Sequence, residues 1–390
     1  MYRCVTYITI EQQARDEFPN RKGVLHFDFV TDFECSDSWK DFTNKGKITL
    51  PKNLYFRDES GKLQPLKGTN INVGGFSSGV PLFLRGDKVK IEAGYKYRNQ
   101  KQIDVTDTSV FFEGYVSNVG SKIPIELDIE DNMWILKQTP VTTRTFSESN
   151  TLEDILGYIL QGTIFKHKAL TKTNFGNFTI GNETAAQVLQ RLQQSYGFES
   201  YFRGNELRCG VLIYLPEEAK EENFIFQRNI IDDELEYSRK DDIVLSAVAH
   251  NTVTENNGTT KDGKVKTKKK RLEVLVTIKN GKRTDKIIEQ GQPAPENIEG
   301  ERRTLFFPGA QTTQELADLA YSELIIYYYT GLKGKFTTFG IPFVRQGDTA
   351  VIKDPILPER DGKYKIKQVD YSGGINGLRQ DIFLDYKINI

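Results

Sequence analysis

The stretch Gly258-Thr259-Thr260-Lys261-Asp262-Gly263-Lys264 has the glycine and lysine spacing of a loop that cradles nucleotide phosphates. Val265 stands where such a loop needs a hydroxyl for magnesium, and the following residues, Leu272 to Ile278, read as a strand rather than a phosphate-binding helix. A hairpin tip accounts for these glycines better. His26, His167 and His250 are the only histidines, and none has a Cys, His or carboxylate partner at metal-ligand spacing. There is no Gly-x-Ser-x-Gly elbow for a nucleophilic serine. Asp232, Asp233 and Glu234, or Asp241 and Asp242, have the chemistry of an acid/base pair for glycan cleavage, yet runs of this kind more often form charged turns. No catalytic, metal or cofactor-binding residue is assigned, and the chain is expected not to be an enzyme and to need no cofactor.

Three further groups have a binding chemistry. Lys264 to Arg271 is a basic run able to touch DNA phosphates without reading sequence, although no aromatics are interleaved for base stacking; a solvated strand edge explains it as well. Tyr327-Tyr328-Tyr329 offers aromatic surface, but consecutive helical residues point about 100° apart and make no flat sugar platform. Arg85-Gly86-Asp87 is a tripeptide that can act as an adhesive ligand, which raises a host receptor or glycan as an alternative partner.

The elements that carry these residues are mainly strands. The length, 390 residues, suggests two to four domains, and 53 basic against 53 acidic residues leaves no global field to attract nucleic acid or membrane. Cys4, Cys35 and Cys209 are widely spaced and odd in number, which fits a reducing compartment. No apolar run reaches the roughly 20 residues of a membrane span, so a soluble protein made in a cytoplasm is expected. The fold class is α+β, mainly β. Residues 1–137 read as a β-barrel, 138–215 as a small α/β module with helices near 151–160 and 183–196 and a hairpin around Arg203-Gly204-Asn205, and 216–307 as a further β region with a long polar loop. Residues 308–390 read as a helix, Thr313 to about Tyr329 with Leu316, Leu319, Ala320, Leu324 and Tyr327 on one side, followed by a second barrel.

The two ends of the chain repeat one another. Gly79 to Ile91 aligns without a gap to Gly340 to Ile352, sharing two glycines, a proline, an aspartate and the apolar positions. The pattern is strand, Gly-Asp turn, strand: Gly86 and Gly347 permit positive φ, Asp87 and Asp348 bond nearby backbone, and Val89, Ile91, Ala350 and Ile352 face a core. Each copy is followed by a glycine-bearing strand, at Gly114 and Gly362, and by a strand holding Leu-Asp, at Leu127-Asp128 and Leu384-Asp385. Two similar barrels are the expectation.

With the Gly-Asp strand pair, the run Ile125-Glu-Leu-Asp-Ile-Glu-Asp-Asn-Met-Trp-Ile-Leu-Lys137, and the ending Gly373-Gly-Ile-Asn-Gly-Leu-Arg-Gln-Asp-Ile-Phe-Leu384, the sequence resembles the baseplate hub family of phage tails, the Mu-type tail protein or late control protein D group. The resemblance implies a structural homotrimer whose paired barrels form a pseudo-sixfold ring between the hexameric tail tube and a trimeric spike or tip. It implies a place in the virion tail baseplate, assembled in the bacterial host cytoplasm, with tail tube and spike proteins as partners, the tape measure protein as a further neighbour and non-specific contact with DNA in transit. Met133 and Trp134 would then pack the exit from the first barrel.

Overall fold

The computed structural model describes the chain apart from residues 1, 20, 52–54, 58–59, 66–80, 100, 102, 123, 148, 173–177, 212–218, 260–264, 290–291, 293–297, 308–309 and 389–390, and apart from the side chains at 55–57, 63–65, 254–259 and 265–269. The first strands are β1 (Tyr2–Glu11), β2 (Val24–Phe27), β3 (Asp32–Ser38), β4 (Lys45–Leu50), β5 (Tyr55–Arg57), β6 (Leu63–Pro65), β7 (Lys88–Arg98), β8 (Asp104–Val119) and β9 (Ile125–Glu130). Alternation builds them: in β9, Ile125, Leu127 and Ile129 are buried while Glu126 is exposed.

A module with its own core follows: α1 (Met133–Leu136), β10 (Pro140–Val141), β11 (Arg144–Phe146), α2 (Leu152–Ile159), β12 (Lys166–Ala169), β13 (Phe178–Ile180), β14 (Glu183–Thr184), α3 (Ala185–Tyr196), β15 (Glu199–Arg203) and β16 (Glu206–Gly210). Capping boxes start α2 and α3, Thr151 with Asp154 and Thr184 with Gln187, and Gly197 at φ +67° ends α3. The predicted stripes Leu152, Ile155, Leu156, Ile159 and Ala185, Val188, Leu189, Leu192 are all buried in that core.

Then come β17 (Glu221–Ile225), β18 (Ile230–Ser238), β19 (Val244–Thr259), β20 (Val265–Lys279), β21 (Lys282–Ile287), β22 (Glu301–Phe306), α4 (Thr313–Ile325), β23 (Gly331–Phe339), β24 (Thr349–Lys353), β25 (Gly362–Gly374) and β26 (Arg379–Lys387). The largest sheet runs β18-β23-β26-β25-β3-β4-β9-β8-β7-β1-β2-β5-β6, with β24 beside β25 and β17 beside β24. Beneath it lies one continuous apolar cluster fed by both ends of the chain.

Three expectations change here. The boundaries drawn at 216 and 308 separate strands that pair: β17 and β18 sit against β24 and β23, whereas β19 to β22 and α4 share a separate core and are inserted between β18 and β23. Among the described residues no strand set closes on itself by pairing, because β3 spends its second edge on β25 and joins the two sets into one sheet. Finally, α4 ends at Ile325, and Leu319 is 37% exposed. Its buried stripe is Leu316, Ala317, Ala320 and Leu324, which packs on β19 and β20. Tyr327 and Tyr328 form a turn past the helix, and Tyr329 is drawn into the core under the large sheet.

Candidate functional site

The sheet order contains one run twice. Read as counterparts, β18-β23-β26-β25 match β3-β4-β9-β8, with β24 in the place of β7. Hydrogen bonds give the match residue by residue. In the first copy, the Gly86 N–H donates to the Val116 carbonyl (2.7 Å), the Val116 N–H to the Asp87 carbonyl (2.8 Å), and the Asp87 N–H to the Leu84 carbonyl (3.1 Å). The second copy repeats all three: Gly347 to Ile366 (2.8 Å), Ile366 to Asp348 (3.0 Å) and Asp348 to Arg345 (3.1 Å). Each aspartate then accepts the same two further bonds. Leu84 N–H and Arg345 N–H meet the Oδ2 atoms, both at 2.8 Å, and Gln13 N–H and Lys220 N–H meet the Oδ1 atoms at 3.1 and 3.2 Å. The Oδ1 donors arrive from opposite directions, since β1 is antiparallel to β7 while β17 is parallel to β24.

Irregularities repeat as well. A bulge lies between Val116 and Asn118 where β8 meets β9, and another between Ile366 and Gln368 where β25 meets β26. A glycine stands mid-strand in β4 and β23 at the same register, Gly46 opposite Cys35 and Gly334 opposite Leu235. A Cβ on Gly46 would fall 2.6 Å from the Glu34 carbonyl oxygen, and one on Gly334 2.2 Å from that of Glu234. No residue but glycine fits either crossing. These registers move two of the sequence matches: Gly114 corresponds to Tyr364 rather than Gly362, and Leu127 to Ile382 rather than Leu384. Both displacements are two residues, the strand period, so the inward faces still coincide.

The turns sit in different surroundings. Gly86 has φ +92°, and an added Cβ would strike Trp134, which stacks on Tyr115 with centroids 5.3 Å apart. Asp87 is fully buried and forms a bidentate ion pair with Arg21. The remaining guanidinium N–H groups of Arg21 donate to the carbonyls of Pro81 (2.9 Å), Gln13 (3.2 Å) and Leu82 (2.7 Å), so all five donors are used. An adhesive ligand must present its carboxylate; this one is enclosed. Asp348 is 3.8 Å from Arg203, whose Nη1 also donates to the Gln346 carbonyl at 2.9 Å. Gly347 has φ +86°. Beside it the Gln346 N–H meets Asp37 of β3 at 3.3 Å, and burial raises the Asp37 carboxyl against the opposing pull of Arg345. Val89, Ile91, Ala350 and Ile352 are fully buried in the shared core, and Met133 is buried in the helical module. Gly79 and Val80 lie outside the described residues.

The two copies meet where β25 pairs antiparallel with β3, from Gln368 opposite Ser38 to Gly374 opposite Asp32. Arg345 reaches across to the Val110 carbonyl (2.9 Å), and Phe111 packs against Phe343 and Tyr371 with centroids 4.7 and 5.0 Å apart. Outward from this seam lies an open groove of about 990 Å³ whose wall carries Glu34, Asp128, Glu130, Asp370 and Asp381 with Lys45 and Lys47.

The other candidates are dispersed. His26 bonds Thr9, His167 lies 3.2 Å from Glu153, and His250 packs on Phe306. Among the described residues no group of three or more His, Cys, Asp or Glu gathers as metal ligands. Asp232, Asp233 and Glu234 line the outer strand β18, and Asp241 and Asp242 sit in an exposed turn. Much of the phosphate-type motif, residues 260–264, lies outside the described residues, as do the side chains of 265–269 in the basic run. Tyr327 lies under the Arg303 guanidinium, 3.4 Å from its centroid, and Tyr329 is buried, so the three tyrosines share no face. No helix among the described residues is long and apolar enough to cross a membrane.

No family model and no curated protein matches the chain. Solved structures do. The chain is similar to the 43 kDa tail protein of prophage MuSo2 from Shewanella oneidensis, at 12% identity and TM-score 0.53 over 97% of this chain and 98% of that one. It is also similar to a tail protein from Neisseria meningitidis, at 10% identity and TM-score 0.55 over 98% and 97%. A Francisella PdpA-VgrG complex includes a chain matched at 10% identity and TM-score 0.50, over 99% of this chain and 58% of that one. The resemblance carried by the Gly-Asp strands and the Asp-x-Met-Trp turn is thus borne out at the level of the fold: the chain has the fold of phage tail proteins.

Proposed function

We propose that this chain is a non-enzymatic hub of a phage tail baseplate or of a related injection machine. Three copies form a ring of six similar units that joins the hexameric tail tube to a trimeric spike or tip. One observation carries the reading: two strand sets in a single chain share their turn hydrogen bonds, their bulge and their mid-strand glycine. Three such chains offer six like surfaces to six tube subunits and still present threefold symmetry to a spike, which one set per chain could not do. Gly86, Asp87, Gly347 and Asp348 set the turns, Val89, Ile91, Ala350 and Ile352 hold the cores, and Met133 and Trp134 pack the exit from the first set. The acidic groove wall suits the inner side of such a ring, where it would repel the phosphates of passing DNA and limit contact to sliding. Sedimentation and co-assembly with tail tube protein test this. A trimer that caps tube rings is expected; a chain that stays monomeric at micromolar concentration and binds no tube overturns it.

A further inference from the structure

The seam inside the chain has a mirror outside it. The β3 strand covers a stretch of β25 that runs past the end of β24, and its own inner edge pairs with β4. The counterpart of β3 is β18, which among the described residues pairs only with β23 and leaves its other edge open at the end of the sheet. The counterpart of the covered stretch of β25 is the end of β8, Asn118 onward, which runs past β7 and pairs only with β9. One seam is therefore filled within the chain, and both halves of an equivalent seam are left over.

We infer that β18 of one copy pairs antiparallel with the end of β8 of a second copy, in the register of the internal seam. This deepens, and rests on, the trimeric hub reading. Internally Gln368, Asp370 and Ser372 face Ser38, Ser36 and Glu34. Carried over by the shared bulge and the glycine register, Asn118, Gly120 and Lys122 face Ser238, Glu236 and Glu234 of the neighbour. Charge agrees with that assignment. The open strand bears Asp232, Asp233, Glu234 and Glu236, all exposed, while the receiving edge bears exposed Lys122 and Arg85. Acidic residues on an edge commonly prevent pairing; here the opposite charges stand on the edge that would receive them. Tyr237, 38% exposed on this strand, occupies the counterpart position of Asp37, which is buried in the internal seam. The contact is head-to-tail, so it repeats from copy to copy until the ring closes.

Cysteines at the two ends of one proposed pair test this. In the full-length Asn118→Cys, Ser238→Cys variant, mild oxidation should link copies into dimers and trimers on a non-reducing gel, while Asn118→Cys with Glu234→Cys, two pairs out of register, should link at least tenfold less. Lys122→Glu should raise the concentration needed for trimer at least several-fold, and adding Glu234→Lys should restore it. A trimer by sedimentation that links no better in register than out of it overturns the edge pairing and leaves the hub reading standing. A register-specific ladder that runs beyond three copies keeps the pairing and overturns the three-copy ring. Monomers without links overturn both.

Discussion

Asp87 and Asp348 hold turns with the same backbone bonds, but Asp87 is neutralised by Arg21 from its own strand set, while Asp348 is approached by Arg203 from the helical module and by the backbone of Lys220. The first turn is closed on itself and dry. The second is a meeting point, with Asp37, Arg345 and Arg203 brought together from three parts of the chain. Duplicated strands have thus kept one geometry while one copy buries its charge for local order and the other uses it to fix the neighbouring modules.

Breaking the charges separates the two. Asp87→Ala leaves the Arg21 guanidinium buried without its carboxylate and is expected to cost about 3–5 kcal/mol in urea denaturation. Asp348→Ala loses hydrogen bonds and a longer, half-open ion pair, with an expected cost of about 1–3 kcal/mol. Equal losses would show that the two environments are not energetically distinct.

A second difference lies at the exits of β9 and β26. Asp131 follows β9 and accepts from the N–H groups of Asn44 (3.1 Å) and Met133 (3.0 Å); by register its counterpart is Tyr386. Burial pushes the Asp131 carboxyl up to about 7. The folded chain therefore keeps a proton that the unfolded chain releases near pH 4, so this stabilisation is full below about pH 4 and lost as pH rises through 7. Its slope is expected to reach on the order of 1 kcal/mol per pH unit at the steepest. Subtracting the Asp131→Asn profile from the native one should isolate that fall; parallel profiles would remove it. The smallest effect is expected at Arg85, exposed beside the buried turn: Arg85→Ala should change stability by less than about 0.5 kcal/mol, and a larger loss would mean that the tripeptide's arginine is part of the turn.

Much of this was legible in the sequence. Gly-Asp with flanking apolar alternation exposed the repeat, and Thr-x-x-Asp and Thr-x-x-Gln marked two helix starts. What escaped was long-range pairing. The match of β18 and β23 to β3 and β4 was hidden because an inserted module separates them and because Cys35 and Leu235 look unrelated until their shared glycine crossings are seen. Gly46 and Gly334 were the available signal, since a lone glycine inside a strand pattern marks close backbone approach. Arg21 was missed as the partner of Asp87 because nothing local links residues so far apart. The end of α4 was overrun because three tyrosines continued an apolar pattern that tertiary contacts divert.

The inserted module also bears on how the chain folds. It departs after Ser238 and returns at Gly331, and these two residues are cross-strand partners. In the first set the corresponding crossing, from Ser38 to Lys45, is a short turn. Closing the longer loop as open chain would cost roughly 2 kcal/mol more than closing the short one. A module that has already acquired its own core holds the two ends near one another and removes much of that penalty. The first strand set can therefore nucleate locally, while the second waits for its insert, and the order in which the halves of the sheet form is written into where that module interrupts the repeat.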